Sequence, residues 1–147
     1  MLLIVVTPLA SRVLADSTQI PRVKPASALV VGVEDEDKSV AEAGSLRREH
    51  IDDLIRQAED YQVSGNAKLA GESLDEASRL ILDSDAALLR ARLEGSLGRQ
   101  FWLGGDLNNA SASLARSVRL ARVAGDPATL AASLNNLGMV YLERGDA

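Results

Sequence analysis

The feature that most constrains this chain is that it matches itself when shifted by 40 residues. Gly65, Gly105 and Gly145 fall into one column, each followed by a small polar or acidic residue: Asn66, Asp106 and Asp146. Four residues before each glycine stands an aromatic ring, Tyr61, Phe101 and Tyr141, and three before that a small residue, Ala58, Gly98 and Gly138. The second half of the unit repeats too: Ala70 aligns with Ala110, Leu74 with Leu114 and Ala77 with Ser117. Those spacings of four and three put the matched residues on one face of a helix. Self-similarity at a period of this length marks stacked units, none of which can bury its apolar face alone.

Each unit reads as two antiparallel helices that turn at the glycine. A small residue before the aromatic lets the partner helix approach, and the ring fills the space beside it. Glycine ends the first helix because it takes the left-handed conformation at little cost. The pattern predicts helices over about 46–64, 67–82, 86–104, 107–124 and 127–144; the last start is marked by Asp126 as a cap and Pro127 in the first turn. Composition agrees: 45 of the 68 apolar residues are Ala or Leu, which favours an all-α class.

The first 45 residues have a different character, holding eight of the twelve valines and three of the four prolines. Leu2 to Ala10 form a short apolar run, and Val13-Leu14-Ala15 resembles a signal-peptidase site before Asp16. Residues 1–15 therefore read as a secretory signal, with export to the periplasm or the extracellular space. No Lys or Arg precedes the run, so a buried strand or the ragged edge of a longer protein stands as the other reading, and the chain would then be cytoplasmic. The run is shorter than the roughly 20 apolar residues that cross a bilayer, so no integral membrane span is expected. Residues 16–45 read as a largely irregular linker, with a β-like run over Ala28–Val33 and an acidic run over Glu34–Asp37.

The columns from residue 46 onward resemble the tetratricopeptide repeat, whose pattern runs small residue, aromatic, glycine, alanine, aromatic or aliphatic, alanine. The strongest match is Leu134-Asn135-Asn136-Leu137-Gly138-Met139-Val140-Tyr141-Leu142-Glu143-Arg144-Gly145-Asp146. The spacing departs from the usual repeat of about 34 residues, and the tryptophan often found early in the first helix is replaced by Leu54, Glu94 and Leu134. A long-unit variety with Gly-Asp before Leu-Asn-Asn-Leu is similar to Gly125-Asp126 and Leu134–Leu137. The resemblance implies an α-solenoid of about two and a half units starting near 46, 86 and 126. It also implies a concave face, lined by the first helix of each unit, that binds a protein or peptide.

On those first helices, the residues between the packing columns turn toward the groove. They are Arg56, Glu59 and Gln62, then Arg92, Ser96, Arg99 and Trp102, then Asn135, Asn136, Met139 and Glu143. Arginines offer forked donors to carboxylates, asparagine amides bond an extended backbone, and Trp102 and Met139 supply apolar area. In family members the asparagine matching Asn136 or Asn135 commonly holds the ligand backbone. A plainer reading stands beside each: Arg92 and Arg99 on a solvated face, Trp102 packed against the next unit, the asparagines bonded between helices.

Catalysis is not expected. There is no cysteine and one histidine, His50, so neither a thiol nucleophile nor a multi-histidine centre can be built. No nucleophile elbow or phosphate-cradling glycine loop occurs, and adjacent carboxylates such as Asp52 and Asp53 diverge on a helix. No metal or cofactor is implied. A net charge of -5 argues against nucleic acid as a partner.

The third unit stops after its turn, so a longer protein is the expected context. The function expected is thus a non-catalytic interaction module. The alternative is the regulatory or sensory arm of a larger multidomain enzyme or regulator whose effector lies beyond residue 147. Self-association through the unfinished edge is a third expectation.

Overall fold

The computed structural model describes residues 31–145, with side chains from residue 36, and among them the chain is all helical. Five helices follow one another: α1 (Val31–Val63), α2 (Ala67–Leu80), α3 (Ala87–Leu103), α4 (Leu107–Ala124) and α5 (Pro127–Arg144). The signal assigned to residues 1–15, and the linker up to residue 30, lie outside the described residues. Four of the five helices begin and end within two residues of the expected bounds. The exception is α1, which starts at Val31 and runs through the stretch read as irregular linker and, over 31–33, as strand. The reason is local. No proline follows Pro25 before the packed region, and Ala41 and Ala43 favour helix.

The 40-residue register is realised atom by atom at the turns. Gly65 and Gly105 take φ of 78° and 80°, values that only glycine adopts without strain. The next amide reaches back to the aromatic carbonyl in both units, Asn66 N to Tyr61 O at 2.8 Å and Asp106 N to Phe101 O at 2.9 Å. The same two residues then cap the following helix, accepting from Leu69 N and Asn109 N. For Asp106, the amide and side-chain bonds from Asn109 hold the carboxyl below the ordinary range.

Helices adjacent in sequence pack antiparallel. Gly95 meets Ser117 and Gly98 meets Leu114 across α3 and α4, so one index rises as the other falls. A Cβ on Gly98 would lie 2.6 Å from Leu114 Cγ and 3.1 Å from its backbone nitrogen, so this column is small because the helices nearly touch. Alternate helices run parallel. Across α1 and α3, Arg92 bonds Asp52, and Ser96 donates to Glu59 at 3.0 Å; across α3 and α5, Trp102 donates to Glu143 at 2.6 Å.

Two apolar clusters hold the bundle. One joins Ile51, Leu54, Ile55 and Ala58 to Leu74, Ala77 and Leu93; the other joins Ala110 and Leu114 to Val140, with Phe101 and Trp102 packed beside them. A buried ionic clasp closes the first pair. Arg47 forks onto Asp85 with two bonds of 2.7 Å and also donates to Leu80 O at the end of α2. Asp85, nearly fully buried, accepts from Leu82 N as well. The Arg47 guanidinium therefore holds the Asp85 carboxyl down to about 2, against a smaller opposing effect of burial.

Candidate functional site

Three first-position helices, α1, α3 and α5, converge on a cleft of about 350 Å³. Its polar lining includes Glu59 and Gln62 from α1, Arg92, Ser96 and Arg99 from α3, and Asn136 from α5. The parallel packing brings them together. Residues roughly one period apart sit side by side, so Glu59 faces Ser96 and Asp52 faces Arg92.

Within this cleft the side chains differ in what they already hold. Arg92 is committed to Asp52, and Glu59 accepts the Ser96 hydroxyl. Gln62 is buried and donates to Ser96 O at 2.9 Å and to Gln100 Oε1 at 3.3 Å, while its own Oε1 finds no partner. Arg99 has no carboxylate within ion-pair distance among the described residues, and neither Arg99 nor Asn136 bonds another described side chain. The cleft thus presents one uncommitted guanidinium and one uncommitted amide, both half-buried.

The first turns of α5 close one side of the cleft. Asp126 caps that helix by accepting from Thr129 N at 2.8 Å, and Thr129 lines the cleft. Bonds from the Thr129 hydroxyl and amide hold the Asp126 carboxyl below its usual range, with Arg92 adding a smaller push. Beneath, Ser133 and Ser117 share a buried hydroxyl bond of 2.7 Å, and Ser117 donates to Ala91 O at 2.6 Å.

Of the groove residues read from the sequence, Glu59, Arg92, Arg99 and Asn136 meet here, together with Gln62 and Ser96. Arg56 does not. It pairs with Asp52 and Asp53 and lines a neighbouring cleft of about 550 Å³, which shares Arg92 with the first. Trp102 is held by Glu143 and packs against the cluster around Val140, the plainer of its two readings. Asn135 and Met139 are exposed and lie outside the lining. Sequence reasoning passed over Thr129 and Ser133; the signal was available, since the Asp126-Pro127 start fixes which early turns of α5 stand level with Arg92.

The arrangement offers hydrogen bonds and one free positive charge. Among the described residues, no group of three His, Asp or Glu side chains is placed to hold a metal ion. His50 is exposed beside Glu76 at 3.4 Å, away from the cleft. No described helix is long and apolar enough to cross a membrane. Comparison with family models, curated proteins and solved structures returned no match.

Proposed function

We propose that this chain is a non-catalytic interaction module, a tetratricopeptide-like stack that holds an extended segment of another protein along α1, α3 and α5. The observation that carries the reading is Arg99. A half-buried guanidinium without a counter-charge is poorly placed unless something outside supplies one, because long cationic side chains leave water at a cost. Asn136, which lines the same cleft from α5, offers both a donor and an acceptor to a peptide backbone. The ligand class supported is a peptide with a carboxylate to meet Arg99 and an exposed backbone amide to meet Asn136.

The test is selection of binders from a random peptide display library on the immobilised chain, followed by affinity measurement on variants. Arg99→Ala and Asn136→Ala should each weaken the selected peptides about tenfold, the scale of a hydrogen-bonded contact at an interface. Unchanged affinity in both, with circular dichroism intact, overturns the cleft as the binding site.

A further inference from the structure

In the 40-residue register α2 should run as far as α4 does, to residue 84, yet it stops at Leu80, and residues 81–86 cross to α3 outside any helix. The path of this linker is fixed by Asp85, which is held in the Arg47 clasp and accepts from Leu82 N. Between the linker, the first turns of α3 and the last turns of α4 lies a cavity of about 360 Å³, which shares no lining residue with the α1–α3–α5 cleft. Its apolar walls are Ile81, Leu82, Leu93, Leu120 and Val123, and Leu82 and Val123 remain 51% and 79% exposed. Three arginines, Arg90, Arg116 and Arg119, line the same cavity against two carboxylates, Asp83 and Glu94, in a chain whose net charge is -5. Arg116 is held by Glu94 at 2.9 Å and by the Ser113 hydroxyl, and Arg90 donates to Asp83 O at 3.1 Å and lies 3.4 Å from its carboxylate. Arg119 has neither a hydrogen bond nor an ion pair among the described residues. The surplus is one positive charge beside an apolar recess.

We infer that this recess is a binding site for a small amphiphilic carboxylate. Its hydrocarbon body lies against Leu82, Leu120 and Val123, and its head meets the Arg119 guanidinium, whose fork matches a carboxylate. A single surplus charge suits a monoanion. The volume belongs with small-molecule pockets, which run from roughly 300 to 1,000 Å³ and combine apolar walls with a few polar groups. The lining also argues against a peptide, because it holds no amide or hydroxyl side chain to meet a backbone. The α1–α3–α5 cleft, by contrast, holds Gln62, Ser96, Thr129 and Asn136. The two sites therefore differ in chemistry as well as in place, and the inference stands apart from the peptide-cleft reading.

The probe is octanoate, titrated into the full chain and followed by backbone amide chemical shifts. Saturable shifts are expected at the linker and over the last turns of α4. At the same amides, octylammonium, with the same body and the opposite charge, and acetate, with the head alone, should each bind at least about tenfold more weakly. Arg119→Gln should weaken octanoate about tenfold and narrow its lead over octylammonium. Val123→Glu, at an exposed helical position, should weaken octanoate at least as much, while Arg99→Ala leaves it unchanged. No saturation by about 10 mM octanoate, or unchanged affinity in both Arg119→Gln and Val123→Glu with circular dichroism intact, overturns the inference. So does octylammonium binding as tightly as octanoate, because the arginine then selects nothing. N-acetyl-leucine binding more tightly than octanoate overturns it as well, because the recess then reads the C-terminus of a peptide.

Discussion

Gly98 and Gly138 occupy the same column one period apart, yet the first has leucine pressed against it and the second has open space. The residue type is the same; the neighbour differs. A glycine in a helix costs stability relative to alanine, and at Gly98 that cost is offset by an approach no other residue permits. At Gly138 nothing in the described structure offsets it. The α3–α4 seam shows the column pressed against a neighbour, and the α5 face shows it uncovered among the described residues. Identical sequence signals can therefore sit in opposite energetic states.

Several measurements would break or sharpen that contrast. The largest effect is expected from Leu114→Ala, which empties a fully buried site and should cost about 3 kcal/mol in chemical denaturation. Leu134→Ala on the open face should cost well under that, since little packing is lost; similar losses at both sites would erase the distinction. Gly98→Ala should cost about 2 kcal/mol by overpacking against the Leu114 side chain and backbone. A neutral outcome would mean that α4 can simply shift away.

The third measurement tests the first pair of helices against the second. Asp85 is held near 2 by Arg47, below its ordinary 3.8, so its contribution is complete above the ordinary value and fades as pH falls from about 4 toward 2. Asp85→Asn should lower the melting temperature at pH 7 by about 5 °C and should flatten the loss of stability across that acid range; an unchanged acid limb would place it elsewhere. The smallest effect, of opposite sign, is expected at Gly138→Ala. Removing a helical glycine with no neighbour to offend should stabilise by about 0.5 kcal/mol.

Much of the fold was legible because a period repeated three times reports each helix independently. Gly65 and Gly105 with their following caps announced the turns, and Asp126-Pro127 announced α5. The start of α1 was not legible, because valines and an acidic run read as linker when no packing partner is in view, and helix propensity there had to outweigh them. The cleft was half legible. Direction around a helix axis was readable, but two things were not: the level of each residue along the stack, and what its neighbours already occupy. Asn136 lines the cleft and Asn135, about 100° round the helix, is exposed outside it. Trp102 pointed suitably but was claimed by Glu143, one period and one residue further on.

The parallel run of α1, α3 and α5 gives the molecule a mechanical axis. Each polar tie between these helices crosses one period, so tension along the stack loads the seams in series. The α1–α3 seam holds Asp52–Arg92, Glu59–Ser96 and Gln62–Ser96, whereas Trp102–Glu143 is the tie described for α3–α5. Helix α5 is held by α4 as well, through Val140 on Ala110 and Leu114 and the buried Ser117–Ser133 bond, so the α5 end resists a pull chiefly by packing, whereas the α1 end adds a partly exposed ion pair to its packing. Raised salt would then soften the two ends unequally, since screening weakens the Asp52–Arg92 pair and leaves the Val140 packing untouched.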